Sequence, residues 1–146
     1  MGLNARTMTE GSDAVPPPGG PGFLHLHSWI YRLEYAMVFI AIAWLLFGWR
    51  LLILKDFSLL AIGLTLFWFI WPDVAAFVPI GFAMRGRRQW PRWGSTLYNW
   101  LHTFLTWGAV FAIWSVARGS IQWPLLGWAA HLAMDRAVGF TLRAPV

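Results

Sequence analysis

Four apolar blocks, separated by short polar turns, organise this chain. They fall at about 33–51, 59–78, 95–116 and 123–140. Each is close to the roughly 20 residues that an α-helix needs to cross the hydrocarbon core of a bilayer. Lys55-Asp56-Phe57-Ser58 and Arg118-Gly119-Ser120 are tight connections, and a basic loop from Arg85 to Arg92 joins the middle two blocks. Short connections make sequential helices antiparallel neighbours. The pattern therefore predicts an all-α integral membrane protein, a four-transmembrane-helix bundle over residues 33–143. Pro72-Asp73 interrupts the second block. Proline has no N–H to give, so a kink or a helix end is expected near Trp71.

The first 32 residues stand apart. Pro16-Pro17-Pro18-Gly19-Gly20-Pro21-Gly22 cannot bury a core and predicts an extended tail. No apolar stretch of a cleavable signal peptide is expected in residues 1–22. Residues 23–31, with His25, His27 and Trp29, read as an interfacial lead-in.

Composition agrees with the pattern. Only 12% of the 146 residues are charged and 58% are hydrophobic, whereas soluble domains carry about a quarter charged residues. With no cysteine, disulfides, thiolate metal sites, iron–sulfur clusters and cysteine nucleophiles are excluded. The net charge is +5, but the basic residues flank the apolar blocks, which is a topology signal and not a nucleic-acid footprint. Arg6, Arg32, Arg85, Arg87, Arg88, Arg92 and Arg143 fall on one side; Arg50, Lys55 and Arg118 fall on the other. The positive-inside rule then puts both termini in the cytoplasm.

Few ionisable groups lie within the blocks. With spans one and three starting on the cytoplasmic side, Glu34, Asp73, Asn99, His102, Asp135 and Arg136 all fall in the cytoplasmic half. Tyr98, Asn99, His102 and Thr106 share a helical face by their spacing, as do His131 and Asp135. Ionisable groups in a bilayer face the bundle interior and pair with one another. Asp73, His102, His131 and Asp135 are thus expected to cluster. Three readings stay open for them. One is a structural network in which the carboxylates pair with Arg136 and the histidines. Another is a divalent-metal site, since two imidazoles and two carboxylates suit zinc or manganese. The third is haem or chlorophyll ligation by His102 or His131, although the helical count places the two at different depths.

Tryptophan is the other unusual feature, with 12 residues. Trp93, Trp100, Trp107 and Trp114 recur every seven residues along the third block, which on a continuous helix gives one slowly drifting stripe. At 100° per residue this stripe faces away from His102. It predicts either lipid contact or a docking face for another membrane subunit or a pigment.

Leu33-Glu34, Pro72-Asp73, Tyr98-Asn99-Trp100-Leu101-His102-Thr103, Ala130-His131, Asp135-Arg136 and Gly139 occur in that order. In these, from Leu33 to Arg143, the chain resembles a family of small bacterial four-span membrane proteins whose domain has no assigned function. The loop from Arg85 to Trp93 is longer and more charged than that family's link, and the tail lies outside the resemblance. More distantly, the Asp…His…His-x-x-x-Asp order is similar to predicted membrane-bound metal-dependent hydrolases, without their additional histidine beside Pro-Asp. The family carries no activity over to this chain. From sequence, the preferred expectation is an accessory subunit that docks into a larger membrane complex, photosynthetic or respiratory, through Trp93, Trp100, Trp107 and Trp114. The alternative is a membrane-embedded metal-dependent hydrolase using Asp73, His102 and Asp135.

Overall fold

The computed structural model describes residues 29–48, 58–86 and 90–143. The tail to residue 28, Arg50, Lys55, Arg87 and Arg88 lie outside the described residues. The described chain is all helical: α1 (Trp29–Ala43), α2 (Leu59–Ala83), α3 (Arg92–Leu101), α4 (Phe104–Arg118) and α5 (Leu126–Val138), with one 3-10 turn (Trp123–Leu125) before α5.

Two helices are long and apolar enough to cross a membrane: Trp29–Gly48, of 20 residues, and Leu59–Ala83, of 25 residues. The first begins inside the expected lead-in, because the apolar, aromatic sequence from Trp29 continues the helix one turn earlier. The second runs through Pro72 and Pro79 and ends five residues later than expected. Ser58 starts it, its hydroxyl accepting from Ala61 N–H at 3.1 Å. A proline frees the carbonyl four residues back without ending the helix when packing holds both halves. Pro72 is fully buried in that packing.

The expected third span is not one straight helix. It breaks at His102-Thr103, and α3 and α4 meet at a 56° bend. The expected fourth span is also shorter. It is the 3-10 turn followed by the 13 residues of α5, about 20 Å of helix. Nearly every residue from Leu125 to Ala133 is buried. α5 is the centre of the fold, and α1, α2 and α4 pack around it. Among the described residues, two helices are long and apolar enough to span a membrane, or three spans are possible if the bent pair counts as one.

Small residues let the backbones approach. A Cβ on Gly127 would overlap the Thr65 carbonyl oxygen and lie 3.1 Å from Phe69 N, so α5 touches the α2 backbone there. Gly94 brings α3 against Ile80 of α2 in the same way, a Cβ there reaching its side chain at 3.2 Å. Two apolar clusters result. Ala76, Ile80 and Tyr98 join α2 to α3 at one end. Leu125, Trp128 and Leu132 gather Trp68, Trp71, Trp107 and Phe111 at the other. The polar groups sit between them.

Candidate metal centre

His102 sits where the third block breaks. Losing helical continuity frees backbone carbonyls, and in an apolar setting each needs a donor. Distant side chains supply them. Trp128 Nε1–H donates to Leu101 O at 2.9 Å, and Arg136 Nη2 donates to His102 O at 3.2 Å. Thr103 caps the new helix, its hydroxyl accepting from Thr106 N–H at 3.2 Å. His102 is therefore a helix end inside the protein, held from three directions.

Its ring orientation is fixed as well. Tyr98 O lies 2.9 Å from His102 Nδ1. A carbonyl only accepts, so Nδ1 carries the hydrogen and Nε2 of the neutral ring is a bare lone pair. That lone pair faces Asp73 Oδ1 at 3.3 Å and Asp135 Oδ2 at 3.8 Å. His131 Nε2 lies 3.7 Å from Asp73 Oδ1 and 3.4 Å from Asp135 Oδ2. It is buried and has no hydrogen-bond partner among the described residues. Two imidazole nitrogens and two carboxylate oxygens thus converge from α2, α5 and the α3–α4 break. One ligand atom each from Asp73, His102 and His131 lies within 4.8 Å of the others.

A bare imidazole nitrogen and a carboxylate repel at such distances, so a proton or a metal cation belongs between them. The donor set and spacing fit a divalent metal. Tetrahedral bonds of about 2.0–2.2 Å to nitrogen and oxygen put neighbouring ligands about 3.3–3.6 Å apart. The His102–Asp73 separation of 3.3 Å falls in that range and the His131–Asp73 separation of 3.7 Å lies just beyond it; Asp135 Oδ2 stands beside them, 3.8 and 3.4 Å from the two histidines. A hydrogen bond from His102 Nδ1 to a carbonyl is also the usual outer support of a metal-binding imidazole. The centre is shielded on most sides. Both histidines are buried and the Asp135 side chain is 13% exposed, while that of Asp73 is 45% exposed. Access is from the α2 side.

The helical count places the two histidines at different depths; their ring centroids lie 5.4 Å apart. Arg136 is also not where a carboxylate network would put it. Among the described residues its guanidinium pairs with no carboxylate. It donates to Leu132 O and His102 O and lies over the rings of Tyr35 and Phe104, at 5.5 and 5.2 Å. Asn99 is turned to the C-terminal segment, not to the cluster: it donates to Arg143 O and accepts from Arg143 N, both at 2.7 Å. Glu34 on α1 is exposed and makes no ion pair with a described residue. Tyr98 lies against the site, its ring stacked on His102 at 3.8 Å.

The tryptophans do not form one stripe. The bend separates Trp93 and Trp100 on α3 from Trp107 and Trp114 on α4. Trp107 turns into the bundle, where Nε1–H donates to Leu125 O at 2.8 Å. Trp114 is about half exposed and its ring meets Trp68 at 6.3 Å. Trp93 and Trp100 remain outward and exposed. Sequence reasoning missed the anchoring roles of Trp128 and Arg136, which only the break creates, and that of Arg32. Arg32 Nε and Nη2 donate to Ala137 O and Val138 O, at 2.9 and 3.2 Å, closing the end of α5. Its position opposite the end of the last block was the signal available for it. Comparison with known proteins found no match among family models, curated proteins or solved structures.

Proposed function

We propose that this chain is a membrane-embedded metal-dependent hydrolase with Asp73, His102 and His131 as metal ligands and Asp135 beside them. The observation that carries this reading is the pair of buried imidazole Nε2 atoms that each face two carboxylates, at 3.3–3.8 Å. The distant similarity of the motif order to predicted membrane-bound hydrolases points the same way. A bound divalent ion would supply an activated water and a Lewis acid. The chain itself contributes the rest. Tyr98 O holds the His102 ring, Arg136 and Trp128 hold the broken backbone, and the buried faces of α5 exclude water from the rear. Asp135 is the carboxylate placed to accept a proton from an attacking water. The exposed side of Asp73 is where a substrate enters. In this reading the end bearing Arg32, Arg85, Arg92 and Arg143 faces the cytoplasm, and α5 completes a four-span bundle.

The test is metal content. Gently purified protein, measured by elemental analysis and native mass spectrometry, should retain about one equivalent of a divalent transition metal. Asp73→Asn and His131→Gln should each lose most of it while staying folded. If wild-type protein takes up neither zinc nor manganese, the cluster is a protonated structural clamp and the hydrolase reading is wrong.

A second reading, the accessory subunit, is supported by the outward exposure of Trp93 and Trp100. Changing both to Leu would release a bound partner on co-purification. Unchanged partners would assign them to lipid contact.

A further inference from the structure

Arg143 is held through both its backbone and its side chain. Gly139, at φ 101°, ends α5 in a conformation that side chains rarely adopt, and the chain turns back along α3. There Asn99 grips the Arg143 backbone at both its N–H and its C=O. The guanidinium lies 3.9 Å from the centroid of the Trp90 ring and 5.7 Å from that of Tyr98. No carboxylate of a described residue pairs with it. A guanidinium packed by its face keeps the N–H groups of its edge available, in the fork geometry that matches phosphate oxygens.

One ring separates this arginine from the metal centre: Tyr98, 5.7 Å from the guanidinium, stacks on His102 at 3.8 Å. Phe77 lies one turn beyond Asp73 on α2 and meets both Trp90, at 5.8 Å, and Tyr98, at 5.9 Å. The exposed carboxylate of Asp73 and the stacked guanidinium therefore border one aromatic group. They do so at the end of the bundle where Arg32, Arg85 and Arg92 also gather, the end suited to the phosphate level of a bilayer.

We infer that Arg143, stacked on Trp90 and clipped by Asn99, is an anion-recognition site that presents a phosphate ester to the Asp73–His102–His131 centre. The inference rests on the hydrolase reading for its purpose but not for its test. Asn99 holds only backbone atoms, so Arg143→Gln leaves the clip in place and the segment where it is. Full-length protein in detergent, with and without prior chelation, is titrated with inorganic phosphate by calorimetry. Arg143→Gln should weaken binding at least tenfold and Arg143→Lys less, with melting temperature and metal content unchanged in both. The same variants in nanodiscs locate the source of the phosphate. If phosphatidic acid displaces inorganic phosphate where phosphatidylcholine does not, the ligand is a lipid headgroup; if neither does, it is a soluble phosphate ester. Equal phosphate affinity in wild type and Arg143→Gln, or no affinity in wild type, would overturn the assignment. Wild-type protein without metal but with Arg143-dependent phosphate binding would sink the hydrolase reading alone.

Discussion

Gly127→Ala tests whether the centre depends on the close approach of α5 to α2. The added Cβ would overlap the Thr65 carbonyl oxygen and lie 3.1 Å from Phe69 N and 3.2 Å from Thr65 C. These are backbone atoms of a helix, so no side chain can swing away. Relief requires α5 to retreat by about 1 Å, since interiors are close-packed and yield little. Overpacking of this kind costs about 1–3 kcal/mol, and a helix buried on most sides puts this site at the upper end. His131 is four residues along the same helix, on the side facing α2. A retreat of that size carries its Nε2, now 3.7 Å from Asp73 Oδ1, out of ligand spacing. Constellations of this kind tolerate only about 0.5 Å. Metal affinity should therefore fall at least tenfold, together with thermal stability in detergent. Gly63 on α2 and Gly108 on α4 provide the controls, because a Cβ at either meets nothing within 4 Å. Alanine at those positions should be neutral or stabilising by up to about 1 kcal/mol. The reasoning fails if Gly127→Ala melts with wild type, or if the control alanines lose metal equally.

Trp128→Phe keeps a ring to stack on Trp68, now parallel at 6.1 Å, but removes the N–H that satisfies Leu101 O. A cost of about 1–3 kcal/mol is expected for the orphaned carbonyl, with faster hydrogen exchange at the His102-Thr103 break as the specific readout; unchanged exchange would show that the break is satisfied otherwise. Arg32→Gln removes two donors from the last carbonyls of α5. It should cost about 0.3–2 kcal/mol and loosen amide protection at the C-terminal end of α5, leaving α2 and α4 as they were; a uniform loss across helices would mean that Arg32 does not act as a local cap.

The elements that were legible from sequence are those set by local pattern. The apolar run from Leu59, started by Ser58, is a helix because nothing in it stops one; Pro72, where a kink or an end was expected, lies inside it, and the helix ends five residues past the expected bound. The chemistry of Asp73, His102, His131 and Asp135 was legible too, since ionisable residues within apolar blocks are few and must meet. What could not be read is the break between Leu101 and Phe104. No glycine or proline stands there, and a helix through His102 and Thr103 would lose nothing locally. The break persists because its free carbonyls find Trp128 and Arg136, which lie 27 and 34 residues away in sequence. Local periodicity contains no term for such donors. The same event turns Trp107 inward, where its Nε1–H donates to Leu125 O, while Trp93 and Trp100 stay outward. It also leaves His102 at a helix end, with Nδ1 on Tyr98 O and Nε2 facing Asp73 and Asp135. The count along a straight helix was enough to bring the four ionisable residues together. What that count could not supply is the pair of distant donors that hold the broken backbone around them.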